Sequence, residues 1–245
     1  MARDISPNTF RFLDLPPELR NRIYDINLSV GRPVVLNVVD RNKPFLACCV
    51  SDSDRKSNAA WSRSCFNPEL LLTCRQINLE ATKILYGNNT FSCTLVWRFV
   101  AWLESIGGSV VHVRKVDLGS ISSVLGRWSP RNATHDFDRF LEVLQDATEL
   151  EKMVLEANEV MSIWENPSDA ANKFRGFLLA IKEFREESGD VFDIIRLKPT
   201  TPDISPYDPN PLIRFSEEHV AKYQSRMQAE LRGTPAIDED EVPLV

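Results

Sequence analysis

The side chains best suited to metal binding lack the spacing that a zinc site requires. The chain has five cysteines, and none of them forms a C-x-x-C pair: Cys48, Cys49, Cys65, Cys74 and Cys93. Structural zinc sites in proteins usually draw their ligands from such pairs. Cys74 falls on the apolar stripe of a predicted helix, which indicates a buried position. We interpret the cysteines as small apolar residues in a reducing compartment, and we predict no metal and no cofactor.

Residues for nucleophilic catalysis are equally scattered. The three histidines are His112, His135 and His219, and no serine or cysteine nucleophile accompanies them in a known motif. Neither G-x-S-x-G nor H-E-x-x-H occurs, and Gly107-Gly108 lacks the other residues of a phosphate-binding loop. We therefore predict that the protein is not an enzyme. An enzyme with an unfamiliar site remains an alternative, which a pocket lined by converging titratable groups would support.

Charge and hydropathy exclude several other classes of function. The chain has 245 residues, of which 29 are Lys or Arg and 35 are Asp or Glu, so its formal net charge is -6. Nucleic-acid binding depends largely on clustered Lys and Arg, and we expect no nucleic-acid ligand. No apolar segment has the length of a signal peptide or of a membrane span. We expect an intracellular protein, cytoplasmic or nuclear, that does not bind membranes.

Two tryptophans lie in polar segments and could contact a protein partner. Trp61 is followed by Arg63, and Trp128 follows Arg127. Exposed Trp and Arg side chains are frequent anchors of protein interfaces. We therefore take Trp61 and Trp128 as candidate partner-binding residues.

The first half of the chain predicts two helices separated by a hairpin. Residues 14–27 carry Leu15, Leu19, Ile23 and Ile26 at helical spacing, which predicts one apolar stripe on this helix. If the stripe packs against the second helix, little apolar surface is left to face a partner. Two short apolar runs, 34–39 and 45–50, predict a β-hairpin. A second helix should begin at Asn67-Pro68, and Gly87-Asn88-Asn89 should end it with a left-handed cap. A further amphipathic helix follows, with its apolar residues between Leu95 and Ile106.

The second half alternates strands and helices. Three predicted strands share one spacing, Val113-x-x-Val116-x-Leu118, Leu150-x-x-Met153-x-Leu155 and Phe192-x-x-Ile195-x-Leu197. The middle strand, with Asn158 after it, matches the leucine-rich-repeat consensus. The intervals are longer than those of true repeats, so ordinary parallel α/β strands remain an equal alternative. After these strands we expect a proline-rich segment, a surface helix over 216–231 that docks only loosely, and an acidic disordered tail.

Two blocks of sequence resemble one known family. Residues 10–24, FRFLDLPPELRNRIY, resemble the opening of filamentous-fungal F-box-like domains, and residues 70–91, which include LLLTCRQINLEA and LYGNNTF, look like the second block of that group. The resemblance implies a helical module that docks onto the linker subunit of a cullin-type ubiquitin ligase, with the repeats behind it selecting the substrate. The Glu18-x-Arg20 motif of one fungal subgroup is present once.

Together these observations predict an α+β protein. N-terminal F-box-like helices with an inserted β-hairpin occupy residues 1–109, and a short leucine-rich-repeat-like β-α-β-α-β sheet occupies 110–199. Residues 200–232 hold the proline-rich segment and the surface helix, and 233–245 form the acidic tail. The predicted function is a non-catalytic protein–protein interaction module or adaptor; the alternative is a substrate receptor of a ubiquitin ligase. The candidate partner-binding residues are Leu15, Pro16, Leu19, Ile23, Tyr24, Trp61 and Trp128.

Overall fold

The structure, a computed structural model, describes residues 10–37, 46–49, 67–93, 96–118, 130–185, 190–199 and 215–233. Several predicted features lie outside these ranges. They are Cys65, Trp61, Trp128, the proline-rich segment from 200 to 211 and the acidic tail after Gly233.

Within the described ranges the chain forms seven α-helices and six strands. The helices are α1 (Pro17–Leu28), α2 (Arg75–Asn88), α3 (Val96–Ile106), α4 (Pro130–Leu144), α5 (Ala157–Ile163), α6 (Pro167–Glu183) and α7 (Glu217–Arg232). The strands are β1 (Val34–Asn37), β2 (Leu46–Cys49), β3 (Thr90–Cys93), β4 (Lys115–Leu118), β5 (Lys152–Glu156) and β6 (Ile195–Lys198). Short 3-10 turns occupy Phe12–Asp14, Pro68–Leu72, Gly107–His112 and Val191–Asp193.

All six of these strands belong to one sheet, in the order β2-β1-β3-β4-β5-β6. Strands β1, β3, β4, β5 and β6 run parallel, and β2 pairs antiparallel with β1 at the edge. The predicted hairpin is present as β1 and β2, but it is part of the main sheet because β1 also pairs with β3. The fold is therefore mixed α/β, and one sheet joins the two regions on either side of residue 109.

The sheet has a buried face and a more exposed face. The in-register row Val34, Phe91, Val116, Met153 and Ile195 is almost completely buried. Because side chains alternate along a strand, the next row points to the opposite side, which we call the outer face. That row consists of Val35, Ser92, Asp117, Val154 and Arg196. The shared spacing noted in the sequence thus places its apolar residues at equivalent positions of β4, β5 and β6.

The helices cover the buried face of the sheet. From β3 to β6 each strand lies beside its successor, so right-handed crossovers place the connecting helices on the same side. A row of aromatic rings fills the space between these layers: Phe91 and Trp102 lie 4.7 Å apart, Trp102 and Phe99 5.3 Å, Phe99 and Phe140 5.6 Å, and Phe140 and Phe137 5.8 Å between ring centroids. Such ring pairs stabilise a core beyond the area that they bury. None of the helices in the described ranges has the length and apolar character needed to cross a bilayer.

Some expectations about local structure are wrong at the ends of elements. The second predicted helix is divided into the 3-10 turn Pro68–Leu72 and α2, and the strands β4 and β6 each follow a 3-10 turn that the sequence pattern placed within the strand. The short helix α5 was not expected. Proline and apolar residues occur both at the starts of helices and at the ends of strands. The sequence therefore gives little specific indication of short 3-10 turns such as these.

Helix α7 is firmly docked, contrary to the expectation of a loose surface helix. It buries Val220, Tyr223, Met227 and Leu231, and the Tyr223 hydroxyl donates a hydrogen bond to the carbonyl of Trp164 at 2.5 Å. Its Gln224 side chain accepts a hydrogen bond from the amide of Leu197 in the edge strand β6, at 3.0 Å. The four buried side chains recur at helical spacing, which a mostly polar sequence made difficult to recognise.

The side chain of Asn89 joins α1, α2 and the start of the sheet. Its amide group donates to the carbonyls of Leu28 and Leu85, both at 2.7 Å, and its oxygen accepts from the amide of Val30 at 2.7 Å. Asn89 itself is extended (φ -99°, ψ 152°), so α2 does not end in the expected left-handed cap. The fully buried side chain of Asn89 instead forms hydrogen bonds with backbone groups at the ends of α1 and α2.

Replacing Asn89 by Ala should therefore lower the free energy of unfolding by about 2–4 kcal/mol, because three buried backbone groups lose their partners. The matched control is Asn88→Ala, whose exposed side chain bonds to Asp25 and Ser29 and whose loss should cost about 1 kcal/mol or less. Urea unfolding followed by circular dichroism measures both values. Equal losses in the two variants would contradict the role assigned to Asn89.

Candidate functional site

Helix α1 buries polar residues and exposes apolar ones. Its buried residues are Arg20, Tyr24 and Leu28. Leu19 is 49% exposed and Ile26 is 74% exposed. The sequence pattern identified this apolar stripe but left open whether it packs against α2 or faces a partner.

The guanidinium of Arg20 explains the inverted orientation. It forms a bidentate ion pair with Glu80 of α2, with Nε to Oε2 at 2.9 Å and Nη2 to Oε1 at 2.7 Å. The remaining nitrogen, Nη1, donates to the carbonyls of Leu13 at 3.2 Å and Leu15 at 2.5 Å. These bonds use both edges of the guanidinium, so the charged group is satisfied although its side chain is only 8% exposed.

Two further side chains complete the cluster around Glu80. The Tyr24 hydroxyl donates to Oε2 at 2.9 Å, and Gln76 Nε2 donates to Oε1 at 3.0 Å. Hydrogen bonds, first from Arg20 and then from Gln76, lower the pKa of Glu80 from 4.5 to about 2. Burial, together with the bond to Glu80, raises the pKa of Tyr24 to about 12. We call Arg20, Tyr24, Gln76 and Glu80 the α1–α2 polar cluster.

The polar cluster fixes the rotation of α1 about its own axis. Residues 20, 24 and 28 point inward, and residues 19, 23 and 26, at helical spacing, share a different side of the helix. Leu19 and Ile26 are exposed on that side, and Ile23 is partly exposed. We call Leu19, Ile23 and Ile26 the α1 stripe.

The candidate residues from the sequence have different positions in the structure. Leu19 is exposed, Pro16 is exposed just before the helix, and Leu15 and Ile23 are partly buried. Tyr24 is 0% exposed, so it cannot contact a partner and its assignment is wrong. Its hydroxyl finds its hydrogen-bond acceptor inside the protein, at Glu80. Trp61 and Trp128 lie outside the described residues.

Sequence reasoning did not anticipate several other features of this region. Ile26, the last residue of the predicted stripe, is among the most exposed apolar residues of the described ranges. Cys74 was expected to be buried and is exposed, because it precedes α2 as its N-cap. The partner of Arg20 was also missed, although Glu80 lies in the second of the two blocks and an arginine on a helix that packs against another helix is a signal for a carboxylate.

A groove of about 730 Å³ lies beside α2, between Asn21 of α1 and the turn Gly107–His112. Its titratable side chains are Glu80, Lys83 and His112. Glu80 belongs to the polar cluster, and His112 Nδ1 lies 3.2 Å from Glu149 Oε1. Glu149 also receives two hydrogen bonds from Arg114, at 3.0 and 2.8 Å.

These contacts assign structural roles to Glu80 and His112, two of the three titratable groups in the groove. In the ranges that the structure describes, no group of three His, Cys, Asp or Glu side chains could hold a metal ion. Within the described ranges, the α1 stripe is a group of exposed apolar side chains on one helix, and we take it as the candidate contact surface.

The polar cluster makes a prediction about acid stability. The pKa of Glu80 is lowered in the folded state to about 2 from 4.5, so its contribution is complete above pH 5 and is lost as the pH falls from about 4.5 toward 2. Glu80→Gln should destabilise the protein at pH 7 and should lose less additional stability than the wild type between pH 5 and pH 3. Urea unfolding across this range measures the difference.

The control for this experiment is Glu69→Gln, which removes an exposed carboxylate without a polar cluster around it. It should keep the wild-type pH dependence. An identical pH profile for Glu80→Gln and the wild type would contradict the role of the cluster.

Comparison with known proteins gives one match. The model of the DUF7730 family, described as a domain of unknown function, matches residues 6–170, which include the α1–α2 polar cluster and the strands β1 to β5. No curated protein and no solved structure matches the chain. Because the family model covers well over half of its length, the chain belongs to the DUF7730 family.

Proposed function

We propose that this protein is a non-catalytic protein–protein interaction module that docks a partner through the α1 stripe. The observation that carries the proposal is the inverted orientation of α1, in which Arg20 and Tyr24 are buried while Leu19 and Ile26 are exposed. An isolated exposed leucine is ordinary on a protein surface. Apolar side chains grouped on one side of a helix are typical of a contact surface.

The polar cluster supports this function because it makes the stripe rigid before a partner arrives. The Arg20–Glu80 pair, the Tyr24 hydroxyl and the carbonyls of Leu13 and Leu15 hold α1 from two directions. A preorganised surface loses less conformational entropy on binding than a mobile one. Burial of each Leu or Ile side chain would contribute about 2 kcal/mol to the affinity.

The partner that we propose is the linker subunit of a cullin-type ubiquitin ligase. Support comes from the resemblance of residues 10–24 and 70–91 to F-box-like domains, whose role is to dock that subunit. The two blocks contact each other through α1 and α2, where Arg20 and Tyr24 of the first block bond to Glu80 of the second. Two residues of the stripe, Leu19 and Ile23, lie in the first of the two blocks, on helix α1, and Leu15 and Pro16 directly precede that helix.

A substrate receptor also needs a surface that selects the substrate, and the sheet behind the helices is suited to this role. Strands β3 to β6 follow one another in spatial order, as in repeat proteins that present extended binding surfaces. The leucine-rich-repeat likeness of β4, β5 and β6 belongs to this proposal. An enzymatic function would instead require a substrate in the groove beside α2, where Lys83 is the titratable group to which no structural role has been assigned.

The test is direct binding of the purified protein to the purified linker subunit, by calorimetry. We expect Leu19→Asp and Ile26→Asp each to weaken binding at least tenfold, because each places a charge where an apolar contact is buried. Both changes should leave the circular dichroism spectrum and the urea midpoint nearly unchanged, since these side chains lie outside the core.

The matched control is Leu179→Asp on α6, because Leu179 has the same exposed fraction, 49%, as Leu19. It should bind as tightly as the wild type. No binding of the wild type to the linker subunit would refute the ligase receptor, and equal loss of binding in the Leu179 variant would refute docking by the α1 stripe.

A further inference from the structure

The groove beside α2 combines apolar side chains with polar ones. Its apolar part includes Leu79, which is 61% exposed, and the partly buried Ile84. The groove has a volume of about 730 Å³, and the ligand pockets of proteins typically measure about 300–1,000 Å³. The groove is therefore large enough for a short peptide segment, and Leu79 offers that segment an apolar contact.

Four polar side chains of the groove have unused hydrogen-bonding capacity. They come from all three elements that form the groove: Asn21 of α1, Thr82 and Lys83 of α2, and Ser109 of the turn Gly107–His112. None of the four side chains forms a hydrogen bond or an ion pair with another residue of the described ranges. Each of them is a hydrogen-bond donor. The groove therefore favours a ligand that carries several acceptors, as a peptide backbone does.

The charges of the groove favour an anionic ligand. Glu80 already accepts hydrogen bonds from the other three members of the polar cluster. The ring of His112 lies 3.2 Å from the carboxylate of Glu149. The ammonium group of Lys83 is thus the charge of the groove that has no counter-ion among the described residues. A negative group on the ligand complements it.

A single lysine suits a carboxylate better than a phosphate. A carboxylate carries one negative charge, whereas a phosphorylated side chain carries a charge of about -1.5 to -2 at pH 7. Proteins usually recognise phosphorylated segments with clusters of arginine. The described lining of the groove contains Lys83 and no arginine. The expected anion is therefore the side chain of Asp or Glu.

The groove and the α1 stripe lie on different sides of α1. Asn21, which borders the groove, is two residues away from both Leu19 and Ile23. Two residues correspond to about 200° around an α-helix, so Asn21 points almost opposite to these two residues of the stripe. A ligand in the groove therefore leaves the stripe accessible.

We propose that the groove binds a peptide segment of a partner protein that carries an acidic and an apolar side chain. The Asp or Glu of the segment pairs with Lys83, and the apolar side chain packs on Leu79. Asn21, Thr82 and Ser109 donate hydrogen bonds to the backbone carbonyls of the segment. This second binding site does not depend on docking by the α1 stripe.

The probe is a set of acetylated and amidated octapeptides of Gly and Ser that contain one Glu and one Leu at different spacings. Each peptide is titrated into the full-length, isotope-labelled protein, and amide resonances are recorded by NMR. We expect at least one peptide to shift the resonances of residues 78–84 and 108–112. If none of the peptides shifts these resonances at about 1 mM, a concentration that reveals even weak binding, the proposal is refuted.

Variants then test the two contacts with the best peptide. Lys83→Gln should weaken its binding about fivefold, because an ion pair in a partly exposed groove contributes modestly. Replacing the Glu of the peptide by Gln should weaken binding to the wild type equally and should have no further effect on the Lys83 variant. Leu79→Ser should weaken binding about tenfold, because an apolar contact is lost. Independent, additive effects of Lys83→Gln and of the change in the peptide would contradict their pairing.

The matched control is Lys182→Gln, which changes an exposed lysine on α6, outside the groove. This variant and Leu19→Asp on the stripe should both bind the peptide as the wild type does, and all variants should keep the wild-type circular dichroism spectrum. Weaker binding in either of these two variants would argue against the groove as the site. A peptide with phosphoserine in place of Glu should bind no more tightly, and a tenfold gain would overturn the assignment of a carboxylate.

Discussion

The ion pair between Arg20 and Glu80 is the constraint on which the amino-terminal part of the fold depends. A guanidinium can be removed from water only when its donors are satisfied, and here one carboxylate and two backbone carbonyls satisfy them. The pair joins helices that are 60 residues apart in the sequence. It also decides which side of α1 faces outward. An ion pair inside the protein therefore determines that the α1 stripe is exposed.

The sheet provides the rigid support for that pair. Its parallel strands are added in sequence order, so the helices accumulate on one face and meet in a row of aromatic rings from Phe91 to Phe137. Asn89 connects this layer to α1 and α2 through three hydrogen bonds. The same topology leaves the outer face with residues such as Ser92, Asp117 and Arg196. One face of the sheet therefore builds the core, and the other carries most of its polar side chains.

Local patterns predicted most of the elements, and they were weakest for the candidate site. The β4, β5 and β6 strands were recognised because Val116, Met153 and Ile195 each have a leucine two residues later, a spacing contained within each segment. The stripe of α1 was also recognised, but the sequence pattern left its orientation open. Hydrophobic periodicity assumes that apolar residues face the core, and that assumption fails where a buried arginine has a carboxylate partner on another helix.

The sequence by itself determined the mixture of helices and strands, the helical spacing of Leu19, Ile23 and Ile26, and the absence of familiar catalytic motifs. These properties depend on residues close together along the chain. Only the tertiary structure decided that Arg20 and Tyr24 are inside, that the hairpin joins the main sheet, and that Lys115 and Lys152 lie beside each other. Each of these facts is a pairing between distant segments. The free energy of burying a charge depends on the partner that folding brings to it, which local sequence does not specify.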